Sequence, residues 1–535
     1  MGSTCEWRAS RSTIARIRPR VLRENAGTPR LLFDPKHGRC TISKMGKIGM
    51  LDKKEREMDD LRSKRIERVV LVNPPMRMEK VYGSYSAWGS VSPPTGLCYI
   101  AALLRQNGLD VSIWDAEALG VGQEETVRAI QERRPDIVGI ACKTLWIESA
   151  HRVAQMLKEK MPDVPVVGGG NHVTAMPERT FKEYPSFDIL VLGEGEVTFL
   201  ELIRALNEGK DLHEVAGLAL REAGGTVRTA PRERIRDLDS LPFPAFDLLP
   251  NLAAHYKPPL TSVEKLPAFS LVGSRGCPCK CTFCDRGVFQ NRVTHHGPQY
   301  MVSLIKDLHD KHGIRYLMFD DDNLLLNKNY LFQLLDLLEG TGLRIPFSCQ
   351  SRVDTIDEEK VDRLKRARCR MIQFGIESGS QKMLDAMKKG ITVEQIRTAI
   401  ALTRKARIRA AGFFIVGYPG ETRETLEETV SLIRECKFDD VGVFLFTPLP
   451  GSEVYGTVSN YGHYEENWSK TNALDQVVFV PHSLSPEVLK EYSDRCYKAC
   501  YFRAGQLIAL LKRCTSKAYV RALARSIPML WAKQG

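Results

Sequence analysis

From residue 66 onward the chain alternates short apolar runs with amphipathic stretches. Residues 68–73 read as a buried strand, apolar from Val69 to Val72, that stops at Pro74 and Pro75. Helical spacing follows over 95–106, ended by Asn107 and Gly108. Further apolar runs at 111–114, 137–141, 164–167 and 188–192 are separated by helical patterns at 124–134 and 148–160, and a last helix runs to about 206. Short buried strands alternating with helices predict a doubly wound parallel sheet. The ligands of such sheets sit beyond the carboxyl ends of the strands, and the breaks at Gly169, Gly170, Gly193 and Gly195 fall there. The rhythm then lapses over 207–262, a charged and Pro-rich stretch read as a linker. It resumes with apolar runs at 268–272, 316–319, 345–350, 371–374, 412–416 and 441–446. Three of these stop at polar residues: the second at Asp320 and Asp322, the third at Ser351 and Arg352, the fourth just before Glu377. Six such repeats predict a partial (β/α)6 barrel, with its chemistry at the strand ends. Past residue 455 a mostly helical C-terminal region is expected to cap the barrel. The expected division is therefore a basic tail (1–62), a Rossmann-like domain (63–206), the linker (207–262), the barrel (263–455) and the helical region (456–535).

Composition narrows the picture. The 535 residues are 43% hydrophobic, as expected of a globular chain. No apolar run reaches the length of a membrane span. The net charge is +12, but residues 1–50 hold eleven Lys+Arg against three Asp+Glu. The excess therefore sits in a tail without apolar periodicity, which reads as partly disordered. Its Arg-rich start superficially resembles a transit peptide, and Met45, Met50 and Met58 offer alternative starts. The rest is mildly basic, which disfavours a nucleic-acid partner. The 14 cysteines are scattered apart from one group, which argues against a disulfide framework and fits a reducing cytoplasm. Cys98, Cys349, Cys369, Cys436 and Cys514 read as small apolar residues, and Cys496 with Cys500 as core or pocket lining. The basic C-terminal stretch with Lys512, Arg513, Lys517, Arg521 and Arg525 is compatible with peripheral membrane contact, although a solvated helix face is the commoner outcome.

The patterned group is Cys277, Cys281 and Cys284, spaced C-x3-C-x2-C after the first barrel run. Tetrahedral zinc takes four ligands, and no second pair with finger spacing follows. Three thiolates on one loop suit an iron–sulfur cube with one iron open. Cys279, inside the loop, has the wrong spacing and reads as a bystander. With Phe283 before the last cysteine and Arg275-Gly276-Cys277-Pro278 leading in, the loop resembles the radical SAM superfamily. That resemblance implies a [4Fe-4S] cluster whose open iron binds S-adenosylmethionine (SAM), which one electron from an external flavodoxin- or ferredoxin-like reductant cleaves to a 5'-deoxyadenosyl radical. It also implies SAM-binding roles for Phe283, Asp320, Asp322, Ser351, Arg352, Glu377 and Ile415. Two structural alternatives remain at these positions: Asp322 or Asn323 capping the following helix, and Arg352 paired with Glu377.

The first module resembles the cobalamin (B12)-binding domain found upstream of many such barrels. The resemblance is carried by Asn73-Pro74-Pro75, Pro94-Thr95-Gly96, Gly169-Gly170-Asn171-His172 and Gly193-Glu194-Gly195-Glu196. It implies cofactor contacts there and at Asp115. Cobalamin mutases carry D-x-H-x-x-G; the stretch from Asp115 to Gly120 has no histidine. His172 is then the nearest candidate ligand of cobalt, although a polar loop residue near the corrin is the plainer reading. The combination resembles the cobalamin-dependent radical SAM methyltransferases, which implies methyl transfer to an unactivated carbon or phosphorus of a small-molecule, lipid or tetrapyrrole-like substrate. Alternatives are ring formation, as in the anaerobic magnesium-protoporphyrin ester cyclase, and a non-catalytic cobalamin sensor. tRNA methylthiolation is disfavoured, because Cys98 and Cys142 are too few for a second cluster.

Overall fold

The computed structural model describes residues 65–506 except 84–85, 87–88, 257, 260–262, 469–470, 473 and 504, together with the backbone of 31–34 and 39–42. Two compact units are present, residues 1–60 and 61–535. In the first, β1 (Leu31–Asp34) pairs antiparallel with β2 (Arg39–Ile42). The rest of the expected tail lies outside the described residues. So do Lys512, Arg513, Cys514, Lys517, Arg521 and Arg525.

The second unit holds two parallel sheets. One contains β3 (Arg68–Asn73), β4 (Asp110–Asp115), β5 (Ile137–Ala141), β6 (Val166–Gly169), β7 (Ile189–Val191), β8 (Leu218–Glu222) and β9 (Gly225–Arg228), in the order β4-β3-β5-β6-β7-β8-β9. The reversal between β3 and β5 makes the topological switch point where doubly wound sheets bind ligands. β3 is buried from its second residue onward, as a strand covered on both faces must be. Gly139 in β5 is required by packing, since a Cβ there would lie 2.8 Å from the Leu71 side chain and 3.0 Å from the Phe199 ring.

The segment read as a linker differs from expectation. β8 joins the first sheet antiparallel to β7, and β9 pairs antiparallel with β8. Residues beyond them brace both modules: Leu238 and Leu241 pack on Tyr99, Ala245 N donates to Cys98 O at 3.0 Å, the Tyr256 hydroxyl donates to Asp115 Oδ2 at 2.8 Å, and the Phe246 ring packs on Phe269 of β10, a strand of the barrel, with ring centroids 4.9 Å apart.

The other sheet runs β10 (Ala268–Leu271), β13 (Tyr316–Phe319), β14 (Phe347–Ser351), β15 (Cys369–Glu377), β16 (Arg409–Val416) and β17 (Asp440–Leu445). Its strands are parallel and in chain order, the six expected strands of a partial barrel. Between β10 and β13 lies the two-residue ladder of β11 (Ser274–Arg275) with β12 (Thr294–His295). Along β16 and β17 fully buried residues alternate with half-buried ones. The half-buried Phe413 and Ile415 stand beside Gly442 and Phe444 in register. One face of the sheet is thus sealed and the other is partly exposed. The helix Pro486–Tyr501 packs on β17 and on the helix Arg423–Cys436, with Cys496 and Cys500 fully buried. Among the described residues no helix is long and apolar enough to cross a membrane.

Candidate active site

The cysteine loop leaves β10 and is pinned on both sides. Asp321, fully buried, accepts from Gly273 N at 3.1 Å and from Ser274 Oγ at 2.5 Å. Burial pushes its carboxyl up to about 6, against the pull of those donors. Further along, Thr282 N donates to Met387 O at 3.0 Å, and Thr282 Oγ1 and the Tyr418 hydroxyl are 2.6 Å apart. Val454 N closes the loop onto Thr282 O at 3.1 Å. Cys281 is buried, Cys277 half-buried and Cys284 exposed. The Cys281 thiol is pulled well below the usual thiol range, first by its hydrogen bond with Cys284 and then by Lys389 and Arg352. Cys284, the other partner of that bond, moves the opposite way. Cys279 hydrogen-bonds to Cys277.

Around this loop the charged groups are paired. Arg352 donates from Nε and Nη2 to Asp354 at 2.9 Å each and from Nη2 to Lys389 O at 2.7 Å, leaving Nη1 3.9 Å from Cys281 Sγ. One edge of the fork is thus taken, and the remaining nitrogen faces the cysteine loop. Glu377 sits at a break in the β15–β16 register with φ +70° and accepts from Lys389 Nζ at 2.7 Å. Arg352 and Glu377 thus do not pair with each other. Each has its own counter-charge, as burial demands. Ser351 Oγ donates to Asn323 Oδ1 at 2.8 Å, and the helix Lys328–Gly340 is capped by Asn327, so neither Asp322 nor Asn323 caps it. Asp320 accepts from Gln350 Nε2 at 3.1 Å. Asp322 is exposed and its charge bears on Cys277. Phe283 and Ile415 border one apolar cluster with Met383, Met387, Tyr418 and Phe446, and Lys389 Nζ lies 5.9 Å over the Phe283 ring.

The ligand end of the first sheet is built differently. Asp115 is fully buried and committed: it accepts from Asn73 Nδ2 at 2.8 Å, Ala118 N at 3.1 Å and the Tyr256 hydroxyl. That corrects its reading as an open ligand contact. Pro94 precedes the helix Thr95–Gln106, where Gly96 is exposed and a Cβ would meet open space. Gly169 ends β6. Gly170 has φ +132°, and a Cβ there would lie 2.8 Å from Cys142 O, so only glycine fits. His172 is buried beside Trp468, ring centroids 5.9 Å apart, and burial with nearby Arg179 pushes it down to about 4. Gly193, at φ +75°, donates its N–H to Thr174 Oγ1 at 3.0 Å, and Gly195 opens the helix Gly195–Glu208. Glu194, expected at the cofactor, instead turns to the barrel and accepts from Arg275 Nη1 at 2.8 Å. A second tie joins Asn171 Nδ2 to Asp285 Oδ2 at 3.2 Å. The ligand loops of both sheets thus meet.

Comparison with known proteins agrees. Residues 87–203 match the B12 binding domain and residues 271–433 the Radical SAM superfamily. An uncharacterized methyltransferase of Pyrococcus horikoshii is 34% identical over 448 residues, 83% of this chain and 94% of the relative. The chain belongs to the B12-binding radical SAM enzymes. The anaerobic magnesium-protoporphyrin IX monomethyl ester cyclase of Rubrivivax gelatinosus is 30% identical over 71% of this chain and 69% of its own. TsrM, a radical S-adenosylmethionine methyltransferase of Kitasatospora setae, shares the fold with a TM-score of 0.60 at 21% identity, over 80% of this chain and 83% of that one.

The residues present fit the cofactors of this family. Asn73 Oδ1, Thr144 Oγ1, His151 Nδ1, His172 Nδ1 and Trp468 Nε1 are buried without a hydrogen-bond partner. Asn73 ends β3, Thr144 and His151 follow β5, His172 follows β6, and Trp468 packs into the same core cluster. Buried polar atoms without partners are costly, and the amide-fringed corrin offers both donors and acceptors. Among the described residues no three His, Cys, Asp or Glu side chains converge on one point as a single ion requires. A cube that takes one thiolate per iron has no need of that convergence. Sequence reasoning missed Asp321 as the inward member of its triplet, and it missed Lys389, Tyr256 and Trp468 altogether. Only Asp321 left a trace, in three consecutive aspartates after an apolar run.

Proposed function

We propose that this enzyme moves a methyl group from SAM, by way of cobalamin, to an unactivated carbon or phosphorus of a small-molecule substrate. The observation that carries the reading is the contact between the ligand loops of the two sheets, Asn171 to Asp285 and Glu194 to Arg275. It puts a corrin-type site and the cysteine loop side by side. The relative at 34% identity bears the name methyltransferase, which supports it. When bound, the cluster at Cys277, Cys281 and Cys284 supplies the electron that cleaves SAM, and cobalamin supplies a carrier for methyl.

The chain's own residues do the rest. Asp320, Asp322 and the free oxygen of Glu377 are available to the ammonium and ribose of SAM, with Ser351 behind them. Phe283 and Ile415 form an apolar wall for adenine. Arg352 and Lys389 place positive charge against Cys281. Asn73, Pro94, Thr95, Gly96, Gly169, Gly170, His172, Gly193 and Gly195 line the corrin side, where the missing side chains of the glycines allow close approach. The helix Pro486–Tyr501 covers the barrel edge and helps exclude water from reactive species. Cytoplasmic location and an external one-electron reductant belong to the same reading.

Ring formation is the second reading, favoured by the 30% identity to the cyclase. Turnover with SAM carrying a deuterated methyl group, in the presence of small-molecule extract, separates them. A product that gains label together with 5'-deoxyadenosine supports methyl transfer. A changed product without label points to ring formation. Absence of 5'-deoxyadenosine from fully loaded protein contradicts both and leaves a sensor.

A further inference from the structure

Arg275 stands two residues before Cys277, and its side chain leaves the barrel. Nη1 donates to Glu194 Oε1 at 2.8 Å and Nη2 to Glu196 Oε1 at 2.7 Å. Both carboxylates belong to the turn and first helical residues after β7 of the other sheet. The three side chains are 11%, 4% and 5% exposed, so the pairing is shielded from solvent. The guanidinium lies 5.1 Å over the Tyr99 ring. The Tyr99 hydroxyl is 2.9 Å from His296 Nε2, and His296 Nδ1 is 3.0 Å from Asp239 Oδ1. Arg234 adds Nη2 to Arg275 O at 3.3 Å, with its Nε 3.8 Å from Glu194 Oε2. Ile235 N donates to that same oxygen at 2.9 Å.

A buried charge node of this kind is a poor source of stability, because desolvation offsets most of the attraction. Its distinctive property is geometric. A guanidinium fork holding two carboxylates has one arrangement. The chain on either side has little slack. Gly276 adopts φ +88°, and a Cβ there would come 2.2 Å from Arg292 O. Gly195 lies so close to Ile100 that a Cβ would sit 3.1 Å from its side chain. The route from the cysteine loop to the corrin-side loop is therefore Cys277, Gly276, Arg275, then across the fork to Glu194 between Gly193 and Gly195.

We propose that Arg275, gripped by Glu194 and Glu196, is a positioning residue that sets the separation between the cysteine loop and the ligand loops of the first sheet, and with it the spacing of the two bound cofactors. The inference rests on the chain carrying both cofactors. It does not depend on whether the product is methylated or cyclised.

The test uses the full chain, anaerobically reconstituted with iron, sulfide and hydroxocobalamin, then reduced until cluster and cobalt are both paramagnetic. Iron and corrin content are measured first, so a loading failure, which would count against the cofactor reading itself, is seen separately. Pulsed EPR then reads the dipolar coupling between the two spins. The native protein is expected to give a single narrow distance. In R275Q at native loading the distribution should widen by about 1 Å or more, the looseness that an unsupported site shows. E196Q, which keeps Glu194 in place, should change it in the same direction by less. R275K, which keeps the charge but not the fork, should fall between R275Q and the native protein. Equal, narrow distributions in R275Q and E196Q at full loading would overturn the proposal and leave the node as a tie between modules. Should R275Q fail to fold, E196Q alone decides on the same criterion.

Discussion

The polar groups buried at the strand ends of the two sheets differ in kind: paired charges dominate in the barrel, where Asn323 Nδ2 and Ser348 Oγ are unpartnered too, and unpartnered neutral atoms dominate in the first sheet. In the barrel the buried charges are matched: Arg352 with Asp354, Glu377 with Lys389, and Asp321 with the donors of Gly273 and Ser274. In the first sheet neutral polar atoms of Asn73, Thr144, His151 and His172 are left unmatched, with Trp468 beside them. A charge cannot wait unpaired in a low-dielectric site, whereas a neutral amide or imidazole can at moderate cost. The barrel side is thus organised before its ionic ligand arrives. The corrin side is completed by a neutral, amide-rich one. Glu421 fits the same rule. It is fully buried with one oxygen unpartnered, and burial pushes its carboxyl up to about 8, so it stays protonated.

This contrast can be broken one side at a time. The largest expected effect is at Cys281. Cys281→Ala should abolish cluster loading and 5'-deoxyadenosine formation, read by visible absorption and chromatography, while corrin binding remains. Loss of both cofactors together would mean that the two sites are not separately built.

Next is Arg352→Ala in the cluster-free protein, which leaves Asp354 without its partner. Arg352 is buried but Asp354 is exposed, so the cost in urea unfolding should fall between those of exposed and fully buried pairs, about 1–3 kcal/mol. A loss below about 1 kcal/mol would place the pair in the class of exposed bridges.

On the corrin side, Gly170→Ala forces a side chain against Cys142 O at a φ that non-glycine residues avoid. Strain of about 1–3 kcal/mol should weaken cobalamin affinity about tenfold or more, with cluster loading intact. Titration of the cobalamin spectrum reads it.

The smallest effects are two pH signatures of opposite sign. His172 is neutral when folded, with its pKa pushed down to about 4 from 6.5. Its contribution is present above the unfolded value and lost as pH falls from 6.5 toward 4. Glu421 has a folded pKa raised from 4.5 to about 8. Its contribution is present below 4.5 and lost as pH rises toward 8. Each changes stability by at most about 1.4 kcal/mol per pH unit, spread over its window. His172→Asn should flatten the acid limb of Tm against pH in cofactor-free protein, and Glu421→Gln the neutral-to-alkaline limb. Exchange of the two limbs between the variants would contradict the assignment.

The architecture was legible where the signal is local. All six barrel strands and the five parallel strands of the first sheet announce themselves as short, mainly apolar runs stopped by polar or glycine residues, because at least one face of each is buried. β8 and β9 were not legible. Arg221 and Glu222 share β8 with three buried residues, and only pairing with β7 makes a strand of them. The cysteine spacing named the cluster because one loop carries all three ligands. The role of Glu194 was hidden, since its partner Arg275 is 81 residues away. Which of Asp320, Asp321 and Asp322 turns inward depends on how the chain leaves β13, and three identical neighbours carry no record of that. Lys389 was missed for the same reason, as its ion pair with Glu377 forms only when the chain after β15 folds back over the cysteine loop.

The most direct test of the account is Mössbauer spectroscopy of anaerobically reconstituted protein, with and without SAM. The account predicts one [4Fe-4S] cluster per chain, one of whose irons changes environment when SAM is added. A chain with all three cysteines reduced that assembles no such cluster, or a cluster with four irons indifferent to SAM, would contradict it.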